Sequence, residues 1–134
     1  MLINLKNKDT LKVDCFKFRC CIGKKGTKKL KKEGDFSTPR GTFSIGPVYY
    51  RADRVKKPIT NLKTIKIKPK MGWCNDINSK YYNKKIIVNK KIKHEKLFRN
   101  DFKYNYLVII NYNTKKIIIN KGSAIFIHLT KNLN

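Results

Sequence analysis

The hydrophobic residues of this chain arrive in short runs, each broken within a few positions by Gly, Pro, Asn or a pair of lysines, and that punctuation restricts it to β-structure. Cys15-Phe16-Lys17-Phe18-Arg19-Cys20 alternates apolar and basic residues with period two, as a strand with one wet face requires. Leu2–Lys6 and Leu11–Val13 flank the polar tetrapeptide Asn7-Lys8-Asp9-Thr10, which suits a hairpin turn. Thr42–Ile45 reads as a strand followed by Gly46-Pro47 and the aromatic run Val48-Tyr49-Tyr50, and Leu62–Ile67 alternates again. Met71-Gly72-Trp73-Cys74-Asn75-Asp76 reads as an ordered loop, and Ile86-Ile87-Val88 as a short strand. Leu107-Val108-Ile109-Ile110 is near-continuously apolar, the pattern of a strand covered on both sides. Asn113-Thr114-Lys115-Lys116 turns it into Ile117-Ile118-Ile119, and Asn120-Lys121-Gly122 turns again into a strand over Ala124–Leu129. Thr27–Glu33 reads as a solvated basic loop, and Lys93–Phe102, anchored by Leu97 and Phe98, as one short helix. The expected fold is mainly β: a mixed β-sandwich or partly closed barrel with a short helix near residues 94–101.

At 134 residues the chain forms one domain, residues 1–134, with no internal repeat and no linker. No apolar stretch approaches about 18 residues, so no membrane span is expected. The amino terminus shows no signal-peptide pattern: charges resume at Lys8 and Asp9 before an apolar core can form. The formal net charge of +25 favours acidic partners of any kind. It does not by itself select nucleic acid. Lys, Asn and Ile, all encoded by A/T-rich codons, are over-used together, while Arg, the bidentate reader of phosphate and guanine, is limited to Arg19, Arg40, Arg51, Arg54 and Arg99. A nucleic-acid partner is therefore not expected. Cys15, Cys20, Cys21 and Cys74 lack a C-x-x-C spacing, and neither His94 nor His128 lies near them in sequence, so they read as small buried hydrophobes with no metal or other cofactor.

The residues that carry chemistry lie late in the chain. Gly122-Ser123-Ala124-Ile125-Phe126-Ile127-His128 is a small-residue turn feeding a short strand that ends on a histidine, the way a β-strand presents a general base. Taken alone, a histidine at a strand end reads more readily as a hydrogen-bonded structural residue than as a base. Further segments fall in order before it: Glu33–Phe43 with its Thr38-Pro39-Arg40-Gly41, Val48–Arg54, Gly72-Trp73-Cys74-Asn75-Asp76 and His94–Asp101.

Together these segments resemble the L,D-transpeptidase catalytic domain, the YkuD-like family of bacterial peptidoglycan cross-linking enzymes. The resemblance runs from about residue 20 to the end of the chain. It implies that His128 is the catalytic base, that peptidoglycan stem peptides are the substrate and that no cofactor is used. It places the site at the end of the Ala124–Leu129 strand beside the Thr38–Gly41 loop, with Thr38, Gly41, Gly122 and Ser123 as substrate-binding residues. It also implies a cell-envelope or periplasmic setting.

In that family a Ser/Thr-x-Gly-Cys motif follows the histidine and supplies the nucleophile. Here His128 is followed by Leu129-Thr130-Lys131-Asn132-Leu133-Asn134, with no Gly and no Cys. The resemblance thus implies a catalytic domain that lacks its C-terminal part, inactive as this chain unless a partner chain brings the cysteine, and with an uncovered edge at Ile125, Phe126 and Ile127. The alternative is a non-catalytic basic module that binds peptidoglycan or another polyanion.

Overall fold

The computed structural model describes residues 1–131. Over them the expected mainly β character holds, distributed among four sheets. Strands β1 (Ile3–Asn7), β2 (Thr10–Val13) and β3 (Phe16–Arg19) form an antiparallel meander. Its turn falls at Lys8-Asp9, where the Asp9 carbonyl accepts a hydrogen bond from the Cys20 N–H at 2.8 Å. The register stacks Ile3–Val13–Phe16 and Leu5–Leu11–Phe18 across the three strands, so period two puts six apolar side chains on one side. Phe16 and Phe18 remain 63% and 52% exposed there. Among the described residues, these strands contact one another and no other strand.

Strands β4 (Thr27–Lys28) and β5 (Thr38–Pro39) pair in parallel. Within the Thr27–Glu33 stretch Lys28, Lys29, Leu30 and Lys32 are exposed as expected, but Lys31 is only 5% exposed and is held by Asp35 and Ser37. Strands β6 (Ile45–Tyr50) and β7 (Thr64–Lys66) begin the central sheet. Strand β6 starts later than expected and runs straight through Gly46-Pro47. Opposite this pair the register with β11 (Tyr106–Ile110) slips, two residues of β6 facing one of β11. A bulge is where a proline, which cannot donate to the ladder, is tolerated.

Strand β8 (Met71–Cys74) lies between β9 (Lys85–Ile87) and β10 (His94–Lys96). The Met71–Asp76 segment is thus mostly strand and not loop. Its Gly72 lets His94 and Val88 close over it, since a Cβ there would lie 3.2 Å from each side chain. The helix expected over Lys93–Phe102 does not form. His94, Glu95 and Lys96 pair with Cys74, Trp73 and Gly72, and Arg99 turns back onto Asp101 two residues ahead, a pairing that helical geometry forbids. Ile117–Ile119 is likewise not a strand, because the Asn113 side chain grips both the N–H and the C=O of Ile118 at 2.8 and 2.9 Å.

Strand β12 (Phe126–His128) completes the central sheet, whose order is β12-β11-β6-β7. That sheet is mixed, β6 and β7 being parallel and its other pairs antiparallel, and among the described residues no sheet closes into a barrel. Strand β11 is covered completely on one face only: Leu107 and Ile109 are 0% and 2% exposed, while Val108 and Ile110 are half-buried. The core joins Tyr49, Leu107 and Ile109 of this sheet to Trp73 of β8, together with Leu97 and Tyr104. Burial of each such large side chain contributes about 1.5–3 kcal/mol. As expected, β12 is an edge strand, but Phe126 is packed against the core. No helix among the described residues is long and apolar enough to cross a membrane.

Candidate active site

The turn that launches β12 is unusual in backbone and closely held. Asn120, Gly122 and Ala124 all have left-handed φ, of 65°, 99° and 54°. Such a turn exposes backbone groups that a buried site must satisfy. Three side chains do so. The Tyr82 hydroxyl accepts from the Gly122 N–H at 3.0 Å while donating to Glu33. Asn83 Oδ1 accepts from the Ala124 N–H at 3.1 Å and from the Trp73 indole at 2.8 Å. Asn113 Nδ2 donates to the Gly122 carbonyl at 3.0 Å. Burial and the neighbouring Glu33 carboxylate push the Tyr82 phenol well above its usual pKa, so it serves as a neutral hydrogen-bonding group.

Strand β12 then pairs with β11 at Phe126, Ile127 and His128, ending opposite Leu107. His128 is exposed at this end. Its Nδ1 lies 2.8 Å from the carbonyl oxygen of Leu129. A carbonyl can only accept, so Nδ1 is the donor, and of the two neutral tautomers this contact selects the one with its lone pair on Nε2. That is the tautomer a general base needs. The ring packs against Tyr104, with centroids 5.3 Å apart and planes at 71°. Tyr104 continues a chain of edge-to-face contacts through Phe126 and Trp73 to Tyr49.

Behind Tyr104 stands a charged cluster. Its hydroxyl lies 3.0 Å from Glu95 Oε1, which also accepts from Arg99 at 3.2 Å. Arg99 grips both oxygens of Asp101. The Arg99 hydrogen bonds lower the Asp101 carboxyl to about 2, and the same contacts raise Arg99. Burial, with Glu95 adding to it, pushes the Tyr104 phenol far above its ordinary value.

Of the other sequence-derived site residues, two lie in the Thr38–Gly41 segment and two in the turn. Gly122 and Ser123 are buried within it. Thr38 accepts from the Gly23 N–H at 2.9 Å, and Gly41 is exposed. The Thr38–Gly41 loop is linked to the turn by its neighbours. Lys31 donates to the Ser37 carbonyl at 2.7 Å and lies under Gly122, while Phe43 packs edge-on against Tyr112, whose hydroxyl donates to the Lys121 carbonyl at 2.6 Å. Among the described residues, no hydrogen bond or ring contact given for His128 reaches Thr38 or Gly41. Lys31, Tyr82, Asn83, Tyr104 and Asn113 were not legible as site residues. Each acts on a partner distant in sequence or inside a polar loop, where periodicity carries no signal.

Gly122 makes one expectation quantitative. A Cβ at this position would lie 2.8 Å from Lys31 Cε, and φ is +99°. Lys31 is fixed by Asp35 and Ser37 and cannot give way. Gly122→Ala is expected to cost about 1–3 kcal/mol in urea unfolding, with a smaller change at half-buried Gly26, where nothing crowds the added methyl.

The strand thus delivers an exposed imidazole from a closely braced turn, with Nδ1 held by the Leu129 carbonyl. The chain matches the family model for YkuD, the L,D-transpeptidase catalytic domain, over residues 2–134. It belongs to that family, which acts on peptidoglycan peptides and is typically found at the cell envelope. No curated protein and no solved structure matches it.

Proposed function

We propose that this domain serves peptidoglycan cross-linking by acyl transfer, with His128 as the general base for a cysteine that none of Cys15, Cys20, Cys21 and Cys74 provides. The observation that carries this reading is the Nδ1 hydrogen bond to Leu129, which leaves an accessible Nε2 lone pair at the strand end. In the reaction the imidazole takes the thiol proton and the thiolate attacks a carbonyl carbon of one stem peptide. The thioester forms as the C–N bond to the terminal residue breaks, and the imidazolium returns its proton to the departing amine. An amine of a second stem then attacks the thioester carbonyl and gives a proton to the imidazole, so the cross-link forms as the C–S bond breaks and the thiolate leaves.

The cysteines at hand suit none of these steps. Cys74 is 0% exposed, with its sulfur turned to the Asp76 carbonyl at 4.0 Å. Cys15, Cys20 and Cys21 flank or follow β3 of the meander, which has no strand contact with β12. Burial, then Cys21 and Asp9, raise the Cys20 thiol, the opposite of what a nucleophile requires. The nucleophile on this reading comes from outside these 134 residues, with Thr38, Gly41, Gly122 and Ser123 shaping the substrate side. The setting is the cell envelope.

The 134-residue chain is expected to form no adduct with tetrapeptide-stem muropeptides by mass spectrometry. Extended after His128 with a family Ser/Thr-x-Gly-Cys segment, it should form a thioester that His128→Ala abolishes. Turnover by the unextended chain would refute the assignment. The +25 charge favours a second reading, a non-catalytic module that holds peptidoglycan or another polyanion. Its signature is salt-sensitive binding to sacculi that survives His128→Ala, with no adduct from the extended chain.

A further inference from the structure

A base at the end of a three-residue edge strand faces a physical difficulty. Among the described residues strand β12 has one neighbour, and His128 is exposed. The hydrogen bond from Nδ1 goes to the carbonyl of the next residue, which constrains one ring nitrogen but leaves the plane of the ring free to tilt about it. A catalytic imidazole needs its plane fixed as well, because a misplacement of about 1 Å can cost about 10²-fold in rate. A second contact is required, and it must itself be rigid.

We infer that Tyr104, tied through Glu95 to Arg99, is the positioning residue that sets the plane of the His128 imidazole. The inference rests on His128 being the base and adds the means by which it is aimed. Tyr104 is 8% exposed, and its ring is clamped between His128 at 5.3 Å and Phe126 at 6.2 Å. Rotation of the phenol is blocked at its far end, where the hydroxyl donates to Glu95. Arg99 holds the same carboxylate oxygen of Glu95 at 3.2 Å. Arg99 is pinned three times over. Its guanidinium forks onto Asp101 and lies 5.1 Å over the Tyr104 ring, and its carbonyl accepts from Arg51. Arg51 is in turn 2% exposed and stacked 3.5 Å above Phe98, and the fully buried Leu97 anchors the same loop to the core. Two contacts from different directions, Leu129 at Nδ1 and Tyr104 against the ring, together define one imidazole orientation and one direction for Nε2.

A purely structural Tyr104 would leave the histidine indifferent to the hydroxyl and to Glu95. The two cases separate by nuclear magnetic resonance of the folded chain, with the Trp73 indole N–H, hydrogen-bonded to Asn83, reporting an intact core. In the wild type, the His128 imidazole protons should carry a ring-current displacement from Tyr104. Tyr104→Leu should abolish it. Tyr104→Phe and Glu95→Gln, which keep the ring and the core volume, should retain a displacement but broaden the His128 lines as the ring begins to exchange between orientations. In the extended chain the same two variants should lower kcat about 10²-fold with KM little changed. An unaltered His128 spectrum in Tyr104→Phe and Glu95→Gln would overturn the inference, whether or not Tyr104→Leu folds. If the spectra change as expected while the extended chain forms no thioester, the positioning stands and the proposed reaction fails.

Discussion

Asn83→Ala should lower the unfolding free energy by about 3–5 kcal/mol, a large part of the roughly 5–15 kcal/mol that holds a small domain together. The residue is 3% exposed and spends its whole amide on distant partners. Oδ1 accepts from Trp73 and Ala124, and Nδ2 donates to the carbonyls of Tyr112 and Asn113. Alanine leaves two donors and two acceptors without their partner in a site with little access to water, each costing about 1–3 kcal/mol when unsatisfied. It also places a methyl-bearing residue at φ +54°, which asparagine tolerates better. The consequence is functional too, because the lost bond to Ala124 loosens the turn that launches the histidine strand. Urea unfolding followed by Trp73 fluorescence measures the total. Asn83→Gly, free of the backbone strain, separates the network from the dihedral. A loss below about 1 kcal/mol in Asn83→Ala would show that the four hydrogen bonds are replaceable.

A comparable effect is expected from Asp35→Ala. Lys31 is 5% exposed, and its ammonium is matched by Asp35 and the Ser37 carbonyl. Breaking a buried pair from one side strands a charge and costs about 3–5 kcal/mol. The pair also has a pH signature. Burial opposes ionisation of Asp35, but hydrogen bonds from Lys31, Lys32 and Ser37 outweigh it and hold the carboxyl far below the usual aspartate range. A lowered folded-state pKa contributes stability that is complete above the unfolded value, about 3.9, and is lost as pH falls through the folded value. The wild type should therefore lose this increment progressively below about pH 4. The gap between wild type and Asp35→Ala should be full at pH 6 and narrow toward pH 2. A gap constant across that range would show that Asp35 ionises in the folded state as it does in the open chain.

The sequence carried the elements whose signal is local. Period two in residues 15–20 announced β3, the polar tetrapeptide at residues 7–10 announced the first hairpin, and the run into His128 announced β12 together with the family. What escaped depended on partners far along the chain. Gly72 disguised β8, because the closeness it permits involves His94 and Val88. Gly46-Pro47 hid the start of β6, because a bulge exists only relative to the facing strand. Leu97 and Phe98 suggested a helix, yet the backbone of residues 94–96 found its hydrogen bonds across 20 or so positions in β8. Lys31 looked solvated among its neighbouring lysines, and nothing in its surroundings foretold a burial arranged by Asp35 and Gly122. The bracing of the histidine by Tyr104 is of the same kind. Glu95, Arg99 and Asp101 lie inside a segment the family resemblance had picked out and Tyr104 lies just after it, but their roles emerge only in three dimensions.

The amino-terminal meander, joined to the remainder by its own backbone and by no pairing with another strand, has a bearing on how this protein comes apart. Its hydrogen bonds draw no support from the Tyr49–Trp73–Leu107 nucleus, so it can open while that nucleus stays shut. The molecule then loses order in two instalments rather than all at once, and a lone melting temperature would average a loose appendage with the firm scaffold that carries the imidazole.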